Sequence, residues 1–510
     1  MKRALVSVSD KSGLVPFVTE LTELGFEIIS TGGTKAALEG AGLKVIAIDE
    51  ITGFPEILEG RVKTLHPLVH GGLLAKRKDA NHTQQVKENQ IEYIDLVCVN
   101  LYPFAQTLAN PNSTHTDKIE NIDIGGPSML RSAAKNFNDV TVVVSANDYD
   151  LIISELKALG ATTLETRQKL AGKVFNHTAA YDALIANYFN TVNEVAHPPK
   201  LTKTYELVQS LRYGENPHQE AAFYKELGNH EYSVVSSEQL HGKELSYNNI
   251  ADANAALEIV SEFDTAAAVA IKHMNPCGVG IGTDIDEAFQ KAYDADPVSI
   301  FGGIIALNRT VTVETAIKLN KIFLEIVLAP DFEPAALEIL QGKKNIRLLK
   351  TSMLGGRTPA SRLVSVKGGL LVQEADSKEL LAGDLTVVTE IKPDSEDLEQ
   401  LLFGMRVVKH VKSNGIAIVK DGMTIGIGAG QMNRVGAARI ALEQAGKKAR
   451  GAYLASDAFF PMSDTVELAA EYGIKAIIQP GGSIKDEDSV RACDDLGLAM
   501  VMSGVRHFKH

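Results

Sequence analysis

Hydrophobic and polar positions follow two kinds of pattern from the N-terminus to about residue 190. Short apolar runs without alternation, typical of buried strands, are separated by stretches with an amphipathic helical period. Strands that alternate with helices predict an α/β domain with a mainly parallel sheet. The predicted strands are Ala4–Val8, Glu27–Ser30, Lys44–Ile48, Tyr93–Asn100 and Val140–Ser145. The predicted helices are Gly13–Leu24, Thr34–Glu39, Pro127–Asn136, Asp148–Leu159 and Thr163–Asn190.

A second α/β region follows a proline-containing stretch at Val195–Lys200, which we interpret as a linker. We therefore predict domains at 1–195 and 200–510. The second is too long for one core, so we expect two similar subdomains with a break near 355–395. Its predicted helices are Ala251–Phe263, Asp284–Tyr293, Ser395–His410, Val435–Gln444, Thr465–Tyr472 and Asp488–Asp495. Its predicted strands are Ala267–His273, Ser299–Asn308, Glu325–Leu328, Leu363–Gln373, Ala452–Ala455, Ala476–Ile478 and Ala499–Met502, with a Gly415–Gly430 hairpin that turns at Asp421-Gly422.

Composition narrows the class of protein. The 510 residues suggest about three domains, and 64 acidic against 51 basic residues give a net charge of −13. That charge argues against non-specific nucleic-acid binding. Three distant cysteines without a C-x-x-C motif argue against disulfides and fit the reducing cytoplasm. We expect neither a signal peptide nor a membrane span, because no run is long and apolar enough.

Ser30-Thr31-Gly32-Gly33-Thr34 lies between a predicted strand and helix. Adjacent glycines let backbone N–H groups converge on an anion, and a helix N-terminus adds its positive dipole. The alternative is an ordinary strand–helix turn capped by a hydroxyl. Three polar residues after the first strand are expected to face the same crevice: Ser7, Ser9 and Lys11. There is no G-x-x-x-x-G-K-[ST] motif, so this is not a standard nucleotide-binding P-loop.

Further polar residues of the first domain extend this candidate site. The Ile122–Pro127 segment carries Asp123 ahead of two glycines, Gly125 and Gly126, and Lys135 lies on the following helix. Arg61, Lys63 and Thr64 form a loop, whose alternative interpretation is a solvated charged face, and Asn100 and Tyr102 follow a strand. His66 and His70 have the spacing of metal ligands, but Pro67 interrupts the helix and no third ligand is evident, so we predict no metal.

The second region has its own candidate site at Lys272-His273-Met274-Asn275-Pro276. This cation, imidazole and amide directly follow a buried apolar run, where strand ends of α/β sheets commonly place functional groups. We expect Pro276 to stop the strand. The alternative is a loop whose polar groups are merely solvated.

The first region contains the long motifs SVSDKSG, STGGT, RVKTLHP, VNLYPF and IDIGGPSMLRSAAKN. They resemble the cyclohydrolase domain of the PurH family of bifunctional purine-biosynthesis enzymes. LRYGENPHQ, LSYNN, IKHMNPCG, FGGIIALN, VKSNG, IGIGAGQMNRV, SDAFFPMSD and the RHFKH end resemble its transformylase domain. The resemblance implies a methylglyoxal-synthase-like parallel-sheet domain, then a duplicated cytidine-deaminase-like α/β region without catalytic zinc. It also implies a homodimer with transformylase sites at the interface.

The same resemblance implies two reactions. A formyl group passes from the co-substrate 10-formyltetrahydrofolate to the amine of aminoimidazole carboxamide ribonucleotide (AICAR), and formyl-AICAR then closes to inosine monophosphate (IMP). The implied transformylase residues are Lys272, His273 and Asn414, and the sequence does not decide which of the first two moves the proton. The implied cyclohydrolase residues are Lys63, Tyr102, Asp123 and Lys135, with phosphate held by the Ser30–Thr34 loop. Substrate-binding roles are implied for Arg212, Tyr213, Lys243, Asn248 or its neighbour Asn249, Glu325, Arg434, Phe459, Asp464 and Arg506.

Two other classes of protein compete with this interpretation. A non-catalytic nucleotide-binding regulatory protein would also use cations in the first domain, and turnover would distinguish it from an enzyme. A nicotinamide dehydrogenase is suggested by Gly278-x-Gly280 and Gly426-x-Gly428, but both fail the G-x-G-x-x-G pattern. Those glycines are better explained by close approach of backbone segments.

Overall fold

The computed structural model describes residues 2–227, 232–352 and 361–510. The chain forms two compact units, the first running to Glu206 and the second taking most of the chain from Leu207 onward. The first unit therefore includes the predicted linker at 195–200. No helix in the described part of the chain is both long and apolar enough to span a bilayer.

The first unit is built on one parallel sheet, as predicted. Its strands are β1 Lys2–Ser7, β2 Phe26–Ser30, β3 Val45–Ala47, β4 Leu96–Val99 and β5 Thr141–Val143. They are ordered β3-β2-β1-β4-β5, and every neighbouring pair is parallel. Its helices are α1 Leu14–Glu23, α2 Gly32–Gly40, α3 Ile48–Thr52, α4 Pro67–Leu74, α5 Ala80–Glu88, α6 Phe104–Ala109, α7 His115–Glu120, α8 Gly125–Lys135, α9 Tyr149–Leu159 and α10 Leu164–Val192.

Apolar spacing explains how these helices cover the sheet. On α1, Leu14, Phe17, Val18 and Leu21 are buried, which is the i, i+3, i+4, i+7 stripe of an amphipathic helix. Each such side chain contributes about 1.5–3 kcal/mol when fully buried. Among the strands between the helix layers, β4 and β5 are buried along their whole length and β1 is buried in its middle. Parallel strands place their carboxyl ends at one edge, where the polar residues after β1, β2 and β4 meet.

The second unit has a large mixed sheet and two small ribbons. Its strands, with β6 starting at the unit boundary, are β6 Tyr205–Leu211, β7 Ala221–Glu226, β8 Glu238–His241, β9 Ala266–Lys272, β10 Asn275–Gly282, β11 Gly303–Leu307, β12 Leu324–Ala329, β13 Arg347–Lys350, β14 Ser361–Val366, β15 Gly369–Glu374, β16 Thr386–Val387, β17 Ile416–Lys420, β18 Met423–Gly428, β19 Tyr453–Ser456, β20 Ala476–Gln479 and β21 Ala499–Met502. Its helices are α11 Tyr247–Val260, α12 Ile285–Ala295, α13 Val313–Asn320, α14 Pro334–Gln341, α15 Ser395–Val408, α16 Arg434–Ala445, α17 Asp464–Glu471 and α18 Asp486–Leu496.

The order of elements in this unit is duplicated. A helix, a hairpin and three helix–strand steps run from α11 to β13 and again from α15 to β21. The sheet order β10-β9-β11-β12-β13-β8 is matched by β18-β17-β19-β20-β21-β16, and the halves join where β10 pairs antiparallel with β18. The two halves share one apolar core on the α11/α15 face, and each has its own core on the other face. The likeness to cytidine deaminases stays a prediction.

Glycines make the hairpins of both halves fit under their helices. A Cβ on Gly280 would lie 2.4 Å from the Ala288 carbonyl oxygen of α12, and one on Gly428 would lie 1.9 Å from the Ala437 carbonyl oxygen of α16. Only a residue without a Cβ allows that approach. The interpretation of these glycines as close-approach positions is therefore confirmed.

Two strand predictions were wrong in detail. Leu363–Gln373 is not one strand, because Gly368 adopts a φ of +75° and the chain reverses between β14 and β15. Pro276 does not end the element: β9 stops at Lys272, and Pro276 lies in the next strand, opposite Ile271 and beside a register shift. A bulge tolerates the missing proline N–H. The predicted break near 355–395 lies partly outside the described residues.

Candidate active sites

A cavity of about 680 Å³ opens at the carboxyl ends of β1, β2 and β4 in the first unit. It joins most of the predicted polar residues, although they are far apart in the sequence. The predicted residues that line it are Ser7, Ser9, Lys11, Thr31, Gly32, Gly33, Thr34, Arg61, Lys63, Thr64, Asn100, Tyr102, Asp123, Gly125 and Gly126. The candidate site is therefore one crevice, bounded by several strand–helix loops.

One wall of the cavity is the N-terminus of α2. The Thr31 side chain makes no capping hydrogen bond to the helix, and its Oγ1 lies 3.0 Å from Ser7 Oγ. The amides of the first turn therefore remain available to an anion. Thr34 has a structural role, because its hydroxyl bonds both the amide and the carbonyl of Val8 at 3.0 and 2.9 Å. Ser30 does not reach the cavity: it is fully buried and donates to Val6 O.

The opposite wall carries Asp123, Lys63 and Tyr102. Asp123 Oδ1 accepts from the Gly126 amide at 2.8 Å, and the Asp123 amide donates to Tyr181 Oη at 2.8 Å. Burial raises the pKa of Asp123, although hydrogen bonds from the Gly126 and Tyr102 amides and the charge of Lys63 oppose the rise. A carboxyl group with a raised pKa close to a cation is suited to proton transfer.

The rim of the cavity differs from the prediction in one respect. Lys135 is exposed at the last turn of α8, ten residues after Gly125, and so lies about 15 Å along the helix axis from the cavity wall. Within this unit the structure does not bring it to the cavity. Arg61 is present at the rim and pairs with Glu120. Helical rise explains this separation, because a helix that begins at a site leaves it after two turns, and the catalytic role of Lys135 stays a prediction.

The second candidate site centres on the tight turn between β9 and β10. His273 and Met274 have φ values of +53° and +61°, the left-handed pair of a two-residue type I′ hairpin. Met274 donates its amide to Asp252 Oδ1 at 2.7 Å. Burial raises the pKa of Asp252, while the Met274 amide and the nearby His273 oppose the rise. Lys272 Nζ donates to the Phe301 carbonyl at 2.8 Å.

Asn414 lies on a loop just before β17. Its amide and its side-chain Nδ2 both donate to Gln431 O, at 3.1 and 2.7 Å. The residues on either side are fixed by Asp457, which accepts from Ser413 Oγ and from the Gly415 amide. Asp457 is fully buried and paired with Arg434. Arg434 is thus an internal anchor of this loop, with a side chain 4% exposed, and its predicted contact with a ligand stays a prediction.

The other residues predicted for the second region occupy surface positions with local contacts. Asn248 is exposed and lies 3.4 Å from Glu215 O, whereas Asn249 is buried and caps α11 through Ser246. Asn248 is therefore the residue available to a ligand. Two cations lie over aromatic rings, Arg212 over Tyr213 and Arg506 over Phe508. Glu325 forms an ion pair with Arg347, and Asp464 accepts a hydrogen bond from the Thr465 amide. Lys243 is exposed, and Phe459 is 36% exposed.

Comparison with known proteins agrees with this two-site architecture. The AICARFT/IMPCHase bienzyme model matches residues 133–444, and the MGS-like domain model matches residues 13–128. The chain belongs to the AICARFT/IMPCHase bienzyme family. It is 61% identical over 509 residues to the bifunctional purine biosynthesis proteins PurH of Lysinibacillus sphaericus (strain C3-41) and Anoxybacillus flavithermus (strain DSM 21510 / WK1), with 100% of each chain covered. The crystal structure of ForH is 38% identical with a TM-score of 0.34, and the match covers 37% of this chain and 97% of that one.

Membership of the AICARFT/IMPCHase family confirms the predicted function. The chain is a bifunctional enzyme of the last two steps of purine biosynthesis, with AICAR formyltransferase and IMP cyclohydrolase activities. The methylglyoxal-synthase-like first domain is also confirmed. The alternative of a non-catalytic nucleotide-binding protein finds no support.

Sequence reasoning missed several residues that support the two candidate sites. Tyr181, Asp252 and Asp457 hold Asp123, the His273 turn and the Asn414 loop, but each lies far from its partner in sequence. Glu59 and Glu120 line the first cavity and were also missed. Of these five residues, only Asp457 lies within one of the motifs that resemble the family, SDAFFPMSD. Among the described residues, no cluster of three or more His, Cys, Asp or Glu side chains could hold a metal ion.

Proposed function

We propose that the cavity of the first unit closes formyl-AICAR to IMP, and that the His273 turn and the Asn414 loop of the second unit transfer the formyl group from 10-formyltetrahydrofolate to AICAR. One observation carries the assignment of the cyclisation site. The partly buried Asp123 carboxyl and the Lys63 ammonium stand in the same cavity as a helix N-terminus that is free to bind an anion.

For cyclisation, the 5′-phosphate binds the first turn of α2 at Thr31, Gly32 and Gly33. That remote handle orients the base toward Asp123. The carboxamide nitrogen forms a bond to the formyl carbon and loses a proton to the Asp123 carboxylate, while the formyl oxygen gains a proton. Lys63 and Tyr102 stabilise that oxygen. The resulting hydroxyl takes up a second proton and leaves as water while a ring nitrogen loses its remaining N–H proton, and the C=N bond that forms completes the purine ring. Arg61, Thr64 and Asn100 contribute to binding.

For formyl transfer, the AICAR amine attacks the formyl carbon and the carbon–N10 bond of the folate breaks. Asn414 donates to the tetrahedral oxyanion, and His273 takes the amine proton and returns it to N10. Among the described residues no group hydrogen-bonds the His273 imidazole, whereas Lys272 is held by the Phe301 carbonyl. This contrast favours His273 as the proton carrier and Lys272 as a fixed positive charge.

Exposed and partly exposed residues of the second unit bind the nucleotide and folate. They are Arg212, Tyr213, Lys243, Asn248, Glu325, Phe459, Asp464 and Arg506. The site lies at the interface of a homodimer. Met432, 99% exposed beside Gln431, and the exposed Phe459 and Met462 support this arrangement, because apolar side chains next to a polar site are typical of surfaces covered by a partner. The three free cysteines fit a cytoplasmic enzyme.

One assay tests the assignment of the two sites. Purified protein receives either AICAR with 10-formyltetrahydrofolate or formyl-AICAR alone, and both formyl-AICAR and IMP are measured. We expect His273→Ala to lose formyl transfer and keep cyclisation, and Lys63→Ala to do the reverse. His197→Ala and Lys169→Ala, both exposed, are the matched controls. Loss of both reactions in a folded single variant would show that the two-site assignment is wrong.

A further inference from the structure

Asn275 connects the two segments that carry the proposed transformylase residues. It is the first residue of β10, directly after the His273–Met274 turn. Its Nδ2 donates to the His273 carbonyl at 3.1 Å, and its Oδ1 accepts from the Lys412 amide at 3.1 Å. One planar amide therefore joins the turn that holds His273 to the loop that holds Asn414.

Chemistry fixes the orientation of this amide. The His273 carbonyl can only accept and the Lys412 amide can only donate, so the nitrogen and the oxygen of Asn275 cannot exchange places without losing both bonds. A carboxylate offers only acceptors and an ammonium only donors, so neither can satisfy both partners. The bridge is consequently specific for a carboxamide of this length.

The bridge also crosses between the two halves of the duplicated unit. His273 and Asn275 belong to the first half, and Lys412 and Asn414 precede β17 of the second. The matching turn of the second half, Asp421–Gly422, has favourable type I′ residues, and the Gly422 amide donates to Gln400 Oε1. A residue that served only to close the first hairpin would not need the bond to Lys412.

We propose that Asn275 is a positioning residue that fixes the His273 turn relative to the Asn414 loop. The inference rests on the proposed function, which gives those two residues the proton transfer and the oxyanion contact. Asn275 touches neither substrate in this role. It keeps the two groups at the separation that the tetrahedral intermediate requires, and a displacement of about 1 Å at such a site can cost on the order of 100-fold in rate.

Steady-state kinetics of formyl transfer test the proposal with Asn275→Ala and Asn275→Asp. Asn275→Ala loses both bonds, and we expect kcat to fall about 10- to 100-fold with KM for AICAR and folate within about 3-fold of wild type. Asn275→Asp keeps an acceptor for Lys412 but sets a carboxylate oxygen against the His273 carbonyl, so we expect a similar fall in kcat. Gln290→Ala, which removes a local surface bond to Asp294, is the control and should keep full activity.

The outcomes separate this proposal from the function on which it rests. Wild-type kcat in Asn275→Ala or in Asn275→Asp, or a loss that lies in KM, overturns the positioning role even if His273→Ala is inactive. A wild-type enzyme that makes no formyl-AICAR overturns the proposed function itself. Melting temperature and circular dichroism accompany each assay, with Asn275→Ser as a second variant. Failure of both Asn275→Ala and Asn275→Ser to fold would mark Asn275 as a folding residue and also overturn the proposal.

Discussion

The Asp457 carboxylate is the point where three segments of the second unit are tied together. One oxygen accepts from Ser413 and Gly415, and the other pairs with Arg434. Asp457 is fully buried and the Arg434 side chain is 4% exposed. Replacing Asp457 by leucine leaves the guanidinium buried without its counter-charge and removes the acceptor of two donors.

The cost of Asp457→Leu can be estimated from this burial. Breaking one side of a buried ion pair costs about 3–5 kcal/mol. One kcal/mol corresponds to about 2–4 °C in domains of 150–250 residues, so we expect the melting temperature of the second unit to fall by about 6–20 °C. Scanning calorimetry measures it. Glu165→Ala, which removes an exposed pair with Lys169, is the control and should not shift the transition measurably.

A double variant decides whether the buried charge is the cause. Asp457→Leu with Arg434→Met removes both charges, and we expect it to be more stable than Asp457→Leu alone. Formyl transfer should stay low in the double variant, because the loop around Asn414 has lost its anchor, whereas supplied formyl-AICAR should still be cyclised. An unchanged melting temperature in Asp457→Leu, or a double variant less stable than the single one, would refute the reasoning.

Three further expectations concern the first cavity and acid stability. A Cβ on Gly126 would lie 2.4 Å from Asp123 Oδ2, so Gly126→Ala should displace that carboxylate and reduce cyclisation at least 10-fold, whereas Gly172→Ala, with open space around it, should not. Because the pKa of Asp123 is raised, the rate of cyclisation should fall with decreasing pH at values above the ordinary 3.8; an acid limb at or below 3.8 would contradict the carboxylate's role. Burial would raise the pKa of Glu262, but hydrogen bonds and charges from His410 and Lys409 outweigh burial and lower this pKa to about 2. The ionised Glu262 therefore stabilises the fold above pH 4.5, and this stabilisation should be lost as pH falls toward 2. In acid unfolding curves, Glu262→Gln should make the free energy of unfolding depend less on pH.

The sequence predicted the first sheet and most site residues because local rules decide them. Apolar runs define its parallel strands, and polar residues at their carboxyl ends must meet at one edge. Ser30 and Lys135 show the limit of this reasoning. Whether a hydroxyl at a strand end faces the core, or a lysine two turns along a helix still reaches a cavity, depends on side-chain direction and helical rise. The position of a residue within a sequence motif specifies neither the direction of its side chain nor its distance along the helix from the cavity.

The His273–Met274 turn could not be predicted from the sequence, because tertiary contacts stabilise it. Neither histidine nor methionine favours a left-handed backbone, and each residue in a sparsely populated region costs on the order of 1–3 kcal/mol. The matching turn at Asp421–Gly422 avoids this cost through its own residues. The His273–Met274 turn must instead be held by bonds from outside it, which Asp252 and Asn275 supply at about 0.5–1.5 kcal/mol each. Pattern reasoning placed the end of the strand at His273 and its stop at Pro276, and it could not anticipate the reversal after Lys272, because the groups that stabilise the turn lie on α11 and in the next strand. The two halves thus share one hairpin geometry. Only the turn of the first half lacks the residues that a type I′ turn favours, and this is the turn that carries the His273 imidazole.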